Sequence, residues 1–202
     1  MARAPLPVLT TVRDEDWEGR AVVGERAENV AYLDVDMTEI TSEGAVFEEC
    51  TFRNVRLNVS SHRGSAFLNC RFTGCNFFDT TFRDCKLVGS SFEHCSFAQL
   101  KVGGGDWSFV DLTRADLHTA SIDGVRMREA ELTGARLDGA TLTSTDLSGS
   151  VLNKANLQGC DLRGSDLAAV DPTTVELHDA IITWQQAVVI ATALGLDVRS
   201  DS

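Results

Sequence analysis

The chain has 202 residues, room for one ordinary domain with a continuous core. Hydrophobic residues make up 43%, which argues against disorder, and no apolar run approaches the ~20 residues of a membrane helix. The 18 Lys and Arg against 30 Asp and Glu give a net charge of −12. That balance argues against a basic surface for nucleic acid and suits a partner that itself binds nucleic acid.

In chain order, the start Met1-Ala2-Arg3-Ala4-Pro5-Leu6-Pro7 holds two prolines and no apolar stretch, so no signal peptide is expected and a cytoplasmic location is. Residues 1–29 show no clear repeat. Their acidic segment Asp14-Glu15-Asp16-Trp17-Glu18-Gly19 carries one large aromatic, as expected of a cap on the open end of a solenoid.

From Tyr32 to Ile182 every fifth residue is apolar at 28 of 31 positions, with Ser42, His62 and Pro172 the exceptions. The residue two places earlier is small, as in Cys50, Ser65, Cys75, Ala120 and Ala135, apart from Ile40 and Leu100. The residue two places later is often glycine, as in Gly64, Gly89 and Gly134. A period of five is neither the helical nor the strand period. It requires a chain that turns a corner every five residues, with the large and small residues pointing inward. Four such sides close a coil of twenty residues, and stacked coils pair through the backbone at about 4.8 Å per coil. Glycine suits a corner that needs positive φ.

The units Ala115-Asp116-Leu117, Ala155-Asn156-Leu157 and Ser165-Asp166-Leu167 resemble the repeat of the pentapeptide repeat family. The resemblance covers residues ~30–182 and implies an all-β solenoid, a right-handed quadrilateral β-helix. Eight of the ten phenylalanines are central residues between Phe47 and Phe97, and leucine dominates the centres from Leu112 to Leu167. A Phe-filled half therefore precedes a Leu-filled half. Between them Leu100-Lys101-Val102-Gly103-Gly104-Gly105-Asp106-Trp107 keeps phase but misplaces large and small residues, so a local irregularity or bend is expected there. Residues 183–202 read as a short C-terminal α-helix and tail, with Thr183 as N-cap and Gly195 as stop. Trp184, Val188, Ala191 and Leu194 share one face of that helix. Such a stripe on a terminal helix predicts a two-fold mate; the alternative is that the same residues close the coil against Leu177 and Ile182.

All six cysteines (Cys50, Cys70, Cys75, Cys85, Cys95 and Cys160) fall in the small inward position, as expected of reduced, packed thiols rather than a zinc site. Cys50 and Cys70, and Cys75 and Cys95, stand one coil apart, a spacing that also admits a disulfide. His62 reads as a satisfied, partly exposed histidine. No nucleophile, metal, nucleotide or phosphate-loop motif is present, so no catalytic residue, metal or cofactor is expected.

The polar slot before each large residue stacks into columns. One holds Asp106, Asp146 and Asp166, interrupted by Arg126; its neighbour holds Asp111, Glu131 and Asp171, interrupted by Val151. Seven to eight coils make a rod of roughly 36 Å, and two rods end to end would match about twenty base pairs. The carboxylates would then stand where a duplex offers phosphates. The segment Ser61-His62-Arg63-Gly64-Ser65-Ala66-Phe67, the Phe-to-Leu change and Gln186-Ala187-Val188 with Gly195-Leu196 are similar to the Qnr/MfpA-type subgroup of the family. That resemblance implies a non-enzymatic DNA mimic that binds DNA gyrase, dimerises through its C-terminal helix and confers fluoroquinolone resistance, with no direct nucleic-acid or membrane partner. The unbroken phase leaves no room for the protruding loops of Qnr-type members, so inhibition of gyrase is favoured over protection. The alternative is an interaction scaffold with no topoisomerase partner.

Overall fold

The computed structural model describes residues 8–199, and a parallel β-solenoid with one C-terminal helix occupies them. Each pairing joins residue i to residue i+20, from Thr10↔Val30 to Asp161↔Ile181, so four faces of five residues make each coil. The first face carries strands Thr10–Arg13, Val30–Leu33, Thr51–Arg53, Arg71–Thr73 and Ser91–Glu93. The second face pairs through isolated bridges such as Asp36↔Arg56 and Arg136↔Asn156. The third carries the longest sheet, seven strands from Ala21–Val23 to Thr141–Thr143. The fourth carries Arg26–Glu28, Val46–Glu48 and Ala66–Leu68, then bridges.

The central residues fill the interior. On the first face Tyr32, Phe52, Phe72 and Phe92 stack ring on ring at 4.9, 4.6 and 4.9 Å. Leu112, Leu132, Leu142, Leu147, Leu157 and Leu162 continue the buried core. The small slot has a second task beyond fitting. Thr80, Ser90, Ser150 and Ser165 donate their hydroxyls to the carbonyls of Leu57, Phe67, Met127 and Leu142 one coil below, at 2.6 to 2.8 Å. Cys70 and Cys75 make the weaker thiol version to Phe47 and Phe52. A hydroxyl or thiol there satisfies a buried carbonyl, which an alanine cannot do. All six cysteines are free; five are buried and Cys95 is half-buried.

The corner takes glycine as expected, but Asn, Asp and other residues adopt positive φ there too. Val59 (φ 59) and Phe109 (φ 61) sit in that region at the cost of side-chain crowding.

The coil begins twenty residues before the expected boundary. Residues 10–28 already pair with the coil above, and Val12, Trp17, Val22 and Ala27 keep the five-residue phase. Part of the segment expected as a cap is thus itself a coil of the solenoid; its residues 1–7 lie outside the described residues. Its inward slots Glu15, Arg20 and Glu25, with no described coil beneath them, are exposed and carry charge. Glu15 accepts from Trp17 Nε1 at 2.7 Å, the Arg20 guanidinium lies 4.2 Å from the Trp17 ring, and Arg20 pairs with Glu25 at 3.0 Å. Indole, cation and carboxylates cover the apolar end.

At the other end Pro172 occupies a central position and has no N–H for the ladder. The helix Trp184–Ala193 follows, with Thr183 as N-cap. Thr183 and Gln186 form a reciprocal capping box, with Thr183 N donating to Gln186 Oε1 at 2.8 Å. Gly195 (φ +81) ends the helix, and Leu196 N donates to Ala191 O at 3.0 Å.

Candidate interaction surface

The slot carboxylates have a local structural cause. Asp106, Asp111, Asp146 and Asp171 each accept from the backbone N–H two residues on and from the hydroxyl of that same residue: Ser108, Thr113, Ser148 and Thr173. Asp166 accepts from Ala168 N at 2.9 Å, and Glu131 from Thr133 N at 2.9 Å. Each acid thus pins the turn that follows it. The second oxygen accepts from Arg126 in Asp106, from Arg128 in Asp146 and from the Ser148 hydroxyl in Asp166.

The columns stack as expected through Asp106↔Arg126↔Asp146 and Asp111↔Glu131↔Val151. Among the described residues no bridge reaches Asp166 or Asp171, where the coil approaches Pro172; a single bond, Asp166 N to Thr145 O at 2.9 Å, links Asp166 to the coil below. Four of the six acids (Asp106, Asp111, Glu131 and Asp146) are half-buried rather than open to solvent, because each leans back over its own turn. Cations divide the columns. Asp106 pairs with Arg126 at 3.0 Å and Asp146 with Arg128 at 2.6 Å, whereas no ion pair among the described residues involves Asp111, Glu131, Asp166 or Asp171. The Ser148 hydroxyl, with Arg128 behind it, holds the Asp146 carboxyl down at about 2. For Asp106 burial opposes ionisation, and the Ser108 and Arg126 bonds outweigh it.

The largest acidic surplus lies elsewhere. Over the outward residues of each repeat, the first face carries six carboxylates and five cations, the third four and four, and the fourth seven and four. The second face carries nine carboxylates against Arg56 and Arg136 alone. Glu18, Glu39, Asp138 and Asp179 belong to it, and they occupy positions after the central residue, which the slot columns omit. The first and second faces adjoin, so the unpaired Asp111, Glu131 and Asp171 border this surface.

The C-terminal helix divides its labour in a way the apolar stripe alone did not reveal. Gln186 is buried and donates through Nε2 to Leu162 O at 2.7 Å and Ser165 O at 2.8 Å, and Ile190 packs on the core. Those two residues close the coil. Trp184 stays 75% exposed, Leu194 52% and Val188 38%, with Ala191 half-buried. The stripe is therefore not the seal. The signal for Gln186 was present in the sequence as the T-x-x-Q capping box.

His62 is buried, not partly exposed. Its ring stacks on Phe82 at 4.7 Å. Ser60 Oγ donates to Leu57 O at 2.6 Å, so His62 Nε2–H donates to Ser60 at 3.0 Å and Nδ1 accepts from Ser42 Oγ at 2.7 Å. The ring is neutral, because burial pushes its pKa down to about 3. The unfolded chain, with an ordinary value near ~6.5, binds the proton first as pH falls. Stability from this group is full above about pH 6.5 and declines by roughly 1.4 kcal/mol per unit below it. Urea unfolding at pH 7 and pH 5 should therefore show wild type losing roughly 2 kcal/mol more than His62→Phe; equal losses would contradict a buried neutral ring.

Among the described residues no group of three His, Cys, Asp or Glu is arranged to hold a metal, and no helix is long and apolar enough to cross a membrane.

The chain belongs to the pentapeptide repeat proteins: the pentapeptide repeat region model matches residues 45–122, and the model of eight pentapeptide repeats matches residues 130–167. Within that family it is similar to the pentapeptide repeat protein MfpA of Mycobacterium tuberculosis, 49% identical over 41 residues, which are 20% of this chain and 22% of that protein. It is also similar to MfpA of Mycolicibacterium smegmatis, 40% identical over 63 residues, which are 31% of this chain and 28% of that protein. The matched stretches thus span about a quarter of those relatives. Full-length QnrB1, a plasmid-mediated fluoroquinolone resistance protein, shares the fold at a TM-score of 0.59 and 18% identity, over 92% of this chain and 100% of that one. A trypsin-treated QnrB1 variant gives 0.58 and 21%, over 96% of this chain and 99% of that one.

Proposed function

We propose that this protein is a non-enzymatic DNA mimic that binds DNA gyrase in the cytoplasm and inhibits it, or shields it from fluoroquinolones or a related gyrase poison. The observation that carries the reading is the acidic surplus of the second face, where Asp36, Asp79, Asp116 and Asp138 meet Arg56, Lys101 and Arg136 but Asp16, Glu18, Glu39 and Glu176 meet no cation among the described residues, together with the adjoining column of Asp111, Glu131 and Asp171, along a rod of about 38 Å from Val12 to Pro172 at the coil rise. Asp106, Asp146 and Asp166 extend it across the corner, with the first two partly neutralised by Arg126 and Arg128. The spacing suits a surface that normally meets duplex phosphates, and the likeness to MfpA and QnrB1 supports a resistance role.

The active species in this reading is a homodimer joined through Trp184, Val188, Ala191 and Leu194, which doubles the rod to roughly 75 Å. Sedimentation of wild type should give a dimer and of Leu194→Asp a monomer; a monomeric wild type would remove the long mimic.

The turn-pinning role of the slot acids favours a second reading, a scaffold whose charges serve only the coil. Supercoiling by purified gyrase separates the two. The mimic halts supercoiling as it is titrated in, and a scaffold leaves it untouched at any concentration.

A further inference from the structure

In the backbone ladder of the second face the bond from the central residue is made at every level but one, and the corner bond from Thr119 to Asp138 just above is absent too. Trp17, Met37, Leu57 and Phe77 donate to the coil above at 2.7 to 2.8 Å, and Leu117, Leu137 and Leu157 do the same at 2.8 Å. Phe97 does not bond to Asp116. The neighbouring rungs from Asp116 to Cys95 and from His94 to Thr113 are also absent, although their counterparts Arg136 to Ala115 and Gly74 to Glu93 are made at 2.9 Å. Gln99 N finds the Thr119 hydroxyl instead, at 2.9 Å. At this level a cavity of about 380 Å³ opens at the corner between the first and second faces, with Phe92, Phe97, Cys95 and Ala115 at its base and His94 and Arg114 at its rim.

The diagonally opposite corner is closed tight. There Asp106 N to Cys85 O, Trp107 N to Arg126 O and Arg126 N to Gly105 O are all made. Gly105 (φ +88) sits in a small slot so close to the coil below that a Cβ would lie 2.1 Å from Cys85 O. Bulk is distributed unevenly around this coil: Leu100 and Val110 fill small slots, Trp107 fills a centre with Nε1 buried and unpartnered, and Gly105 removes a side chain altogether. Uneven filling tilts one coil against the next.

We infer that the rod carries a built-in hinge between its Phe-filled and Leu-filled halves, which opens and closes at the His94/Arg114 corner about the pinch at Gly105. On the second face the central rungs resume at once above and below the gap, from Phe77 to Ser96 and from Leu117 to Arg136, so the chain on each side moves as a body. The open backbone groups exchange water for protein partners when the gap shuts, so both states are accessible at small cost. The hinge stands whether or not the partner is a topoisomerase.

Disulfide trapping in the full-length chain tests it. Ala98→Cys with His118→Cys spans the open level on the solvent side; Phe78→Cys with Ala98→Cys spans an intact rung. Under the same mild oxidant the first pair should close to completion about tenfold or more slowly than the second. Amide exchange at Phe97 and Asp116 should be fast before closure and fall to the level of Phe77 after it. No bond in the first pair while the control completes would mean a fixed crack. Equal rates for the two pairs would mean no gap. Either result overturns the hinge.

Discussion

Leu137→Ala and Leu147→Ala should each lower unfolding stability by about 2–5 kcal/mol, while Thr141→Ala changes it by less than ~0.5 kcal/mol. Both leucines are essentially inaccessible, enclosed by the coils above and below. Close stacking leaves little freedom to collapse around the lost methyls, so the cavity persists. Thr141 points outward from strand Thr141–Thr143. Chemical denaturation of the three variants is the check, and equal effects at central and outward sites would refute the register.

Charge reversal should have the largest effect on function. Asp111→Lys with Glu131→Lys replaces two acids that no cation compensates, and should weaken binding to gyrase by about tenfold or more while the fold persists. Asp146→Lys with Asp166→Lys should act less strongly on binding, since Asp146 already faces Arg128. Glu43→Lys with Asp123→Lys on the evenly charged third face is the control, with little loss expected. Thermal melts of each double variant separate loss of the surface from loss of the coil.

The five-residue phase was legible because every central side chain must be large and every slot small for coils to stack. The first coil escaped notice for the same reason. Its slots Glu15, Arg20 and Glu25 have no described coil beneath them and are charged and exposed, so only Val12, Trp17, Val22 and Ala27 kept the pattern. The burial of His62 was hidden because its partners Ser42 and Ser60 lie twenty and two residues away and look like ordinary slot or outlier residues. The six acids were found at one position of the repeat; the acidity of the second face was missed because much of it sits at positions such as Glu18, Glu39 and Asp138. The irregularity at Leu100 to Trp107 was legible in misplaced bulk. That it closes one corner and opens the other depends on the distance between coils, which no spacing of residues encodes.

Competition between this protein and a short DNA duplex for gyrase tests the central claim most directly. A mimic occupies the duplex surface, so labelled duplex of about twenty base pairs should be displaced in full as the protein is titrated, with an affinity that falls steeply as salt rises. Duplex that stays bound in the presence of saturating protein, or displacement indifferent to salt and to the Asp111/Glu131 reversal, would contradict it.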